Sequence, residues 1–169
     1  MKKLIIGLAI MAALASLPLS SYAEDLKFDF DGREWAEGYK AGDDEQGIRE
    51  YVLKGETVND WTELVTVQAF FGLQEKTTPG DYMANMRKGL KEVCPDPMWN
   101  VIRAGKDDIT FEWEVKKCPD QDNQYEIDRI ISGAKAIWYI HYVTKKVPIP
   151  PEKRSKWIKL IESATLVER

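Results

Sequence analysis

Between Gln124 and Lys146 the chain reads QYEIDRIISGAKAIWYIHYVTKK, its longest alternating apolar stretch. Period-two patterning rich in isoleucine, tyrosine and tryptophan makes strand, because successive side chains of an extended chain point to opposite faces. Gly133, near the middle, marks a bulge or bend, so the stretch predicts a central strand pair or one long, bent strand. A sheet must form around it. The rest of the chain then has to supply neighbouring strands and cover for both faces.

Neighbours are plentiful. Leu26, Phe28 and Phe30 alternate with charged residues as in a half-buried strand. REWAEGYK and GIREYVLKG flank AGDDEQ, a hairpin pattern, and GETVND forms a second turn. In VNDWTELVTVQAFF (58–71), counting by twos puts Trp61, Val65, Val67, Ala69 and Phe71 on one face, interrupted by Glu63. MWNVIRAGKDDITFEWEVKK predicts a further hairpin around AGKDD. Ile109, Phe111, Trp113 and Val115 share one face, and Thr110, Glu112, Glu114 and Lys116 are expected on a solvated one.

Two segments change period. In TTPGDYMANMRKGLKEV, Thr77 or Thr78 caps, Pro79 suits a first helical position, and Tyr82, Met83, Met86, Leu90 and Val93 form one apolar stripe ended by Pro95. EKRSKWIKLIESATLVER places Trp157, Leu160, Ile161 and Ala164 at helical spacing, after the extended connector VPIPP. Strands, a helix, more strands and a final helix predict an α+β domain over residues 24–169. Its antiparallel sheet would have about 6–8 strands, packed by two helices.

The first 23 residues stand apart. Lys2 and Lys3, an uncharged run from Leu4 to Leu17, Pro18 and then Ser21-Tyr22-Ala23 predict a cleaved signal peptide, bacterial in style. The run falls short of the about 20 apolar residues a spanning helix needs. No stable transmembrane segment is expected after cleavage, and the mature chain is expected in the periplasm or outside the cell.

In that oxidising setting Cys94 and Cys118, the only two cysteines, are expected to form a structural disulfide. Without Lys2 and Lys3 the chain keeps 22 basic side chains against 28 acidic ones. That excess of acid excludes a general nucleic-acid binder. Residues 24–63 hold 13 acids and 5 bases, and residues 135–169 hold 3 acids and 8 bases, so the two segments are expected to complement each other.

The chemistry-bearing residues are few. His141 is the one histidine, so any Ser-His-Asp or Cys-His arrangement must use it. Alternation puts it on the face of Ile137 and Tyr139, where a packed or half-exposed histidine is the plain expectation. The chain has no GxSxG elbow, P-loop, dinucleotide glycine fingerprint or zinc spacing pattern, and FDFDGRE lacks the full ligand set of a calcium loop. No catalytic residue, metal ligand or cofactor is assigned. Glu63, an acid on an otherwise apolar face, His141, Trp61 and Tyr139 are the candidate functional positions. Six tryptophans and seven tyrosines provide core, or else line a groove for a peptide, glycan or apolar ligand.

The stretch YVLKGETVNDWTELVTVQAFFG (51–72), with its Gly-Glu-x-Val-x-x-Trp-Thr-Glu turn entering a strand, resembles a pattern of small uncharacterised exported proteins of Gram-negative bacteria. RIISGAKAIWYIHYVTK with a closing Trp-containing helix is similar to that group too, and the element order is similar to the PsbP-like and DcrB-like layout. The resemblance implies fold and compartment and carries no activity. The expected function is a non-catalytic binding or accessory role for an unknown protein, peptide or small ligand. A secreted effector or inhibitor, and a small hydrolase using His141 and a carboxylate, are the rivals.

Overall fold

The computed structural model describes residues 24–168 except 95, 120 and 121, so the expected leader over 1–23 lies outside the described residues. In chain order the elements are β1 (Glu24–Lys27), β2 (Trp35–Gly42), β3 (Gln46–Leu53), β4 (Glu63–Phe71), α1 (Pro79–Val93), β5 (Met98–Ala104), β6 (Asp108–Val115), β7 (Gln124–Ser132), β8 (Ala136–Thr144), α2 (Pro151–Ser163) and β9 (Thr165–Glu168). Seven strands form one antiparallel sheet in the order β2-β3-β4-β8-β7-β6-β5, and β1 pairs with β9 in a separate two-stranded ribbon.

The long apolar stretch is the central strand pair, not one bent strand. Gly133 is no bulge: it opens the turn between β7 and β8, where the Glu24 carboxylate accepts the amides of Ala134 (2.9 Å) and Lys135 (3.4 Å). Strand register then assigns every side chain to one of two faces. Val65, Val67, Ala69, Tyr125, Ile127, Trp138, Ile140 and Tyr142 form a core with Trp157 and Ile161 of α2. Ile109, Phe111, Trp113, Val115, Ile130, Ile137 and Tyr139 form a second core on the opposite face, against Tyr82, Met83, Met86 and Leu90 of α1. The helices therefore cover opposite faces of the sheet.

Local chemistry sets each helix. Thr78 caps α1 by accepting the Asp81 amide at 3.1 Å, with Pro79 at the first position where no amide partner is needed. Cys94 ends the helix and is bonded to Cys118, with Cα atoms 5.2 Å apart, so the disulfide ties α1 to the segment leaving β6. In α2, Trp157 stacks on Tyr142 at 4.0 Å and 11°. The Arg129 guanidinium, rising from β7, donates to the carbonyls of Glu162 and Ala164, both at 2.7 Å, where the helix has run out of its own donors.

Four expectations need correction. Phe28 and Phe30 lie beyond β1, packed as loop residues against the α2-side core, because the ribbon ends at Lys27. The C-terminal helix stops at Ser163, and 165–168 turn away as a strand because β1 offers an unpaired edge. Trp61 precedes β4 and packs with Val52, Leu64 and Val143, opposite to the face that counting by twos gave it. Thr110 and Glu112 are buried rather than solvated, because α2 lies over them. Trp35, Trp113, Trp138 and Trp157 all belong to the two cores, which accounts for much of the tryptophan excess.

Candidate functional site

Three buried or half-buried carboxylates on the α2 face each meet a guanidinium. Glu63 accepts from Arg33 at 2.9 and 2.6 Å, from Lys153 at 2.6 Å and from the Tyr142 hydroxyl at 2.5 Å. Glu112 accepts from Arg154 at 2.7 and 2.6 Å, from Asn100 at 2.8 Å and from the Tyr125 hydroxyl. Asp108 accepts from Arg103 and Arg129. Burial raises the Glu63 carboxyl, but the three donors outweigh it and hold it down at about 2. Burial also opposes ionisation of Glu112, and Arg154, Tyr125 and Asn100 again win. These are closed ion pairs of a structural kind. Lys153 meeting Glu63 is one instance of the basic C-terminal segment complementing the acidic N-terminal one.

The α1 face holds a different arrangement. The turn at 133–135 registers Asp128 opposite His141, and β4 places Thr66 opposite His141 on its other side, with Glu50 of β3 next in the same row. Glu126 lies two residues before Asp128 on the same face. Glu126, Asp128 and His141 each offer a donor atom, and these atoms lie within 4.8 Å of one another. His141 Nδ1 is 3.1 Å from Glu126 Oε2, while Glu126 Oε1 accepts from the Gln124 amide at 2.9 Å. The Tyr139 hydroxyl donates to Asp128 Oδ1. The imidazole stacks on the Tyr139 ring at 4.5 Å and 1°, which fixes its plane.

Packing explains why this point of the face differs. Along β8, Ile137 and Tyr139 lie in the core covered by α1, and Val143 lies in the small cluster covered by Val58 and Trp61. His141 falls between the two covers, with 15% of its side chain exposed. Asp128 is fully buried, and its Oδ2 has no partner; the hydroxyl of Thr66, 2% exposed, has none either. Among the described residues neither Glu126 nor Asp128 pairs with a lysine or arginine.

Unpaired burial decides protonation here. Burial pushes the Glu126 carboxyl up to about 8, with only partial relief from its hydrogen bond with Asp128. Asp128 is pushed well above the usual carboxylate range, by burial first and by the Glu126 charge second. Burial pulls His141 below its ordinary value, against the charges of Asp128 and Glu50. The His141–Glu126 contact thus has ion-pair distance but is a hydrogen bond to an uncharged imidazole at neutral pH.

Of the four candidate positions, the structure brings His141 and Tyr139 together and sends the others elsewhere. Glu63 is locked in its Arg33–Lys153 network on the opposite face. Trp61 lies under Lys145, whose Nζ is 4.5 Å from the ring centroid. Glu126 and Asp128 escaped the sequence reasoning, although folding QYEIDRIISGAKAIWYIHYV about Gly133–Ala136 puts Asp128 beside His141. A depression on the α2 side, between Lys40, Arg49, Val67, Phe71 and Trp138, lies away from the cluster. No family model, curated protein or solved structure matches this chain, so function must be argued from the geometry.

Proposed function

We propose that the chain is an exported, non-catalytic binding or accessory protein of the bacterial envelope or extracellular space, with the Glu126–Asp128–His141 cluster as its binding centre. One observation carries the choice of centre. It is a convergence of two buried carboxyls and an imidazole that meets no lysine or arginine among the described residues, whereas the other buried carboxylates among them, Glu63 and Glu112, each meet a guanidinium. The rigidity of the imidazole, flat on Tyr139 and bonded to Glu126, supports holding a ligand over moving protons during turnover. The Cys94–Cys118 bond fits an oxidising compartment, and among the described residues no helix is long and apolar enough to cross a membrane. The kinship with small exported proteins of PsbP-like layout belongs to the same proposal.

The hydrogen bond between His141 and Glu126 favours one second reading, a hydrolase in which Glu126 orients the imidazole as base. A single experiment separates the two. The purified protein is used as bait against native envelope and culture-medium fractions, and in parallel is assayed on ester, peptide and glycoside substrates beside His141→Ala. The binding reading expects a retained ligand or partner and no turnover that depends on His141. Turnover lost in His141→Ala would establish the hydrolase instead.

A further inference from the structure

The geometry points to a mononuclear site for a divalent first-row transition metal, Zn²⁺ or Mn²⁺, held by Glu126, Asp128 and His141. This names the ligand of the centre proposed above and rests on that reading. The donor set is one imidazole and two carboxylates. Imidazole suits transition metals, whereas Ca²⁺ and Mg²⁺ are held by oxygen alone. Two ligands on such a metal, each about 2.1 Å from it, lie roughly 3.0–3.4 Å apart. His141 Nδ1 and Glu126 Oε2 stand at 3.1 Å, and Asp128 supplies a third donor atom within 4.8 Å of both.

Two further observations support a cation at this point. Asp128 Oδ2 is buried, and among the described residues nothing but the neighbouring Glu126 carboxyl, itself one of the three ligands, is placed to satisfy it. Thr66, directly across from His141 and 98% buried, also leaves its hydroxyl without a partner on this face. The ligands are already oriented from outside: Tyr139 donates to Asp128 and stacks on His141, and Gln124 donates to Glu126. His141, at the gap between the covers over Tyr139 and Val143, gives a route from solvent.

The test uses untagged protein with its disulfide intact, freed of metal by chelator and then titrated with Zn²⁺ and with Mn²⁺ by equilibrium dialysis and calorimetry. One equivalent should bind, and thermal unfolding should shift upward in step with occupancy. Glu126→Gln and Asp128→Asn remove an ionisable carboxyl without removing volume, so both should fold, as circular dichroism will verify. Each should lose at least tenfold in affinity, as should His141→Ala, and Tyr139→Phe should lose about tenfold through Asp128. Ca²⁺ in excess should not displace the bound metal. Absence of one-to-one binding, or binding that persists in folded Glu126→Gln and Asp128→Asn, overturns the site. A protein that binds no metal yet still retains a partner on the bait column overturns only the metal, leaving the binding reading in place.

Discussion

The two faces of the central sheet treat buried acid in opposite ways. Under α2, Glu63, Glu112 and Asp108 are ionised, each held by a guanidinium and by further donors. Toward α1, Glu126 and Asp128 meet no lysine or arginine among the described residues, and burial raises both carboxyls above the usual carboxylate range. The difference comes from the covering helices. α2 carries Lys153 and Arg154 on the turn that faces the sheet, while α1 presents Tyr82, Met83, Met86 and Leu90 and stops short of His141. A buried carboxylate with an arginine stays ionised and structural; one without is pushed toward its protonated form.

The sharpest way to break this contrast is to open the staple on the α1 side. Reducing Cys94–Cys118, which closes a loop across a sequence separation of 24, should cost roughly 3 kcal/mol, read by urea denaturation with and without reductant. If α1 instead stays docked at unchanged stability, the disulfide is incidental to that face.

Removing a cation from the other face comes next. Arg154→Ala strands the Glu112 carboxylate, 3% exposed, and should destabilise by about 2–3 kcal/mol, discounted because Arg154 itself is partly exposed. The double variant Arg154→Met with Glu112→Leu should recover most of that loss. A single variant as stable as the parent would mean that Glu112 is not held by charge.

The faces should also answer pH with opposite sign. Glu63 is held at about 2 against an ordinary 4.5, so its contribution is complete above about pH 4.5 and fades as pH falls toward 2. The loss should be about 2 kcal/mol after discounting for the exposure of Arg33, measured as the acid limb of stability against pH. Glu126 is raised to about 8, so its protonated form favours the fold below about pH 4.5, and that advantage is lost as pH rises from there through 8. Stability profiles of metal-free protein should therefore fall at both ends, and Glu126→Gln should flatten the alkaline limb alone.

The smallest effect is a gain. At about pH 8, metal-free Asp128→Asn should be more stable than the parent by about 1 kcal/mol, a rise of roughly 2–4 °C in melting temperature, because it removes a buried carboxyl that meets no lysine or arginine among the described residues. Destabilisation there would show that the Tyr139 and Glu126 contacts of Asp128 outweigh the cost of burying it.

Much of this architecture was legible without coordinates. Period-two patterning located β2–β8, the Thr78–Pro79 start and the Tyr82–Leu90 stripe located α1, and the cysteine pair predicted its own bond. These rest on interactions within a few residues of chain, where side-chain period and capping chemistry are local rules. The ribbon strand β9 was hidden because four residues after a helix carry no pattern of their own until β1 lies beside them.

What only the tertiary structure decided is which charges meet. Glu112 looked solvated because nothing in DITFEWEV announces a helix arriving some forty residues later with Arg154 on its inner side. Glu63 looked like a functional acid for the same reason, since its cations come from Arg33 and Lys153, at the two ends of the chain. Conversely, Glu126 and Asp128 drew no notice in the strand pattern, and they became a candidate site because, among the described residues, no lysine or arginine reaches them. Alternation along a strand assigns a side chain to a face; cover and counter-charge depend on segments distant in sequence, and the chemistry of a buried carboxyl is set by those.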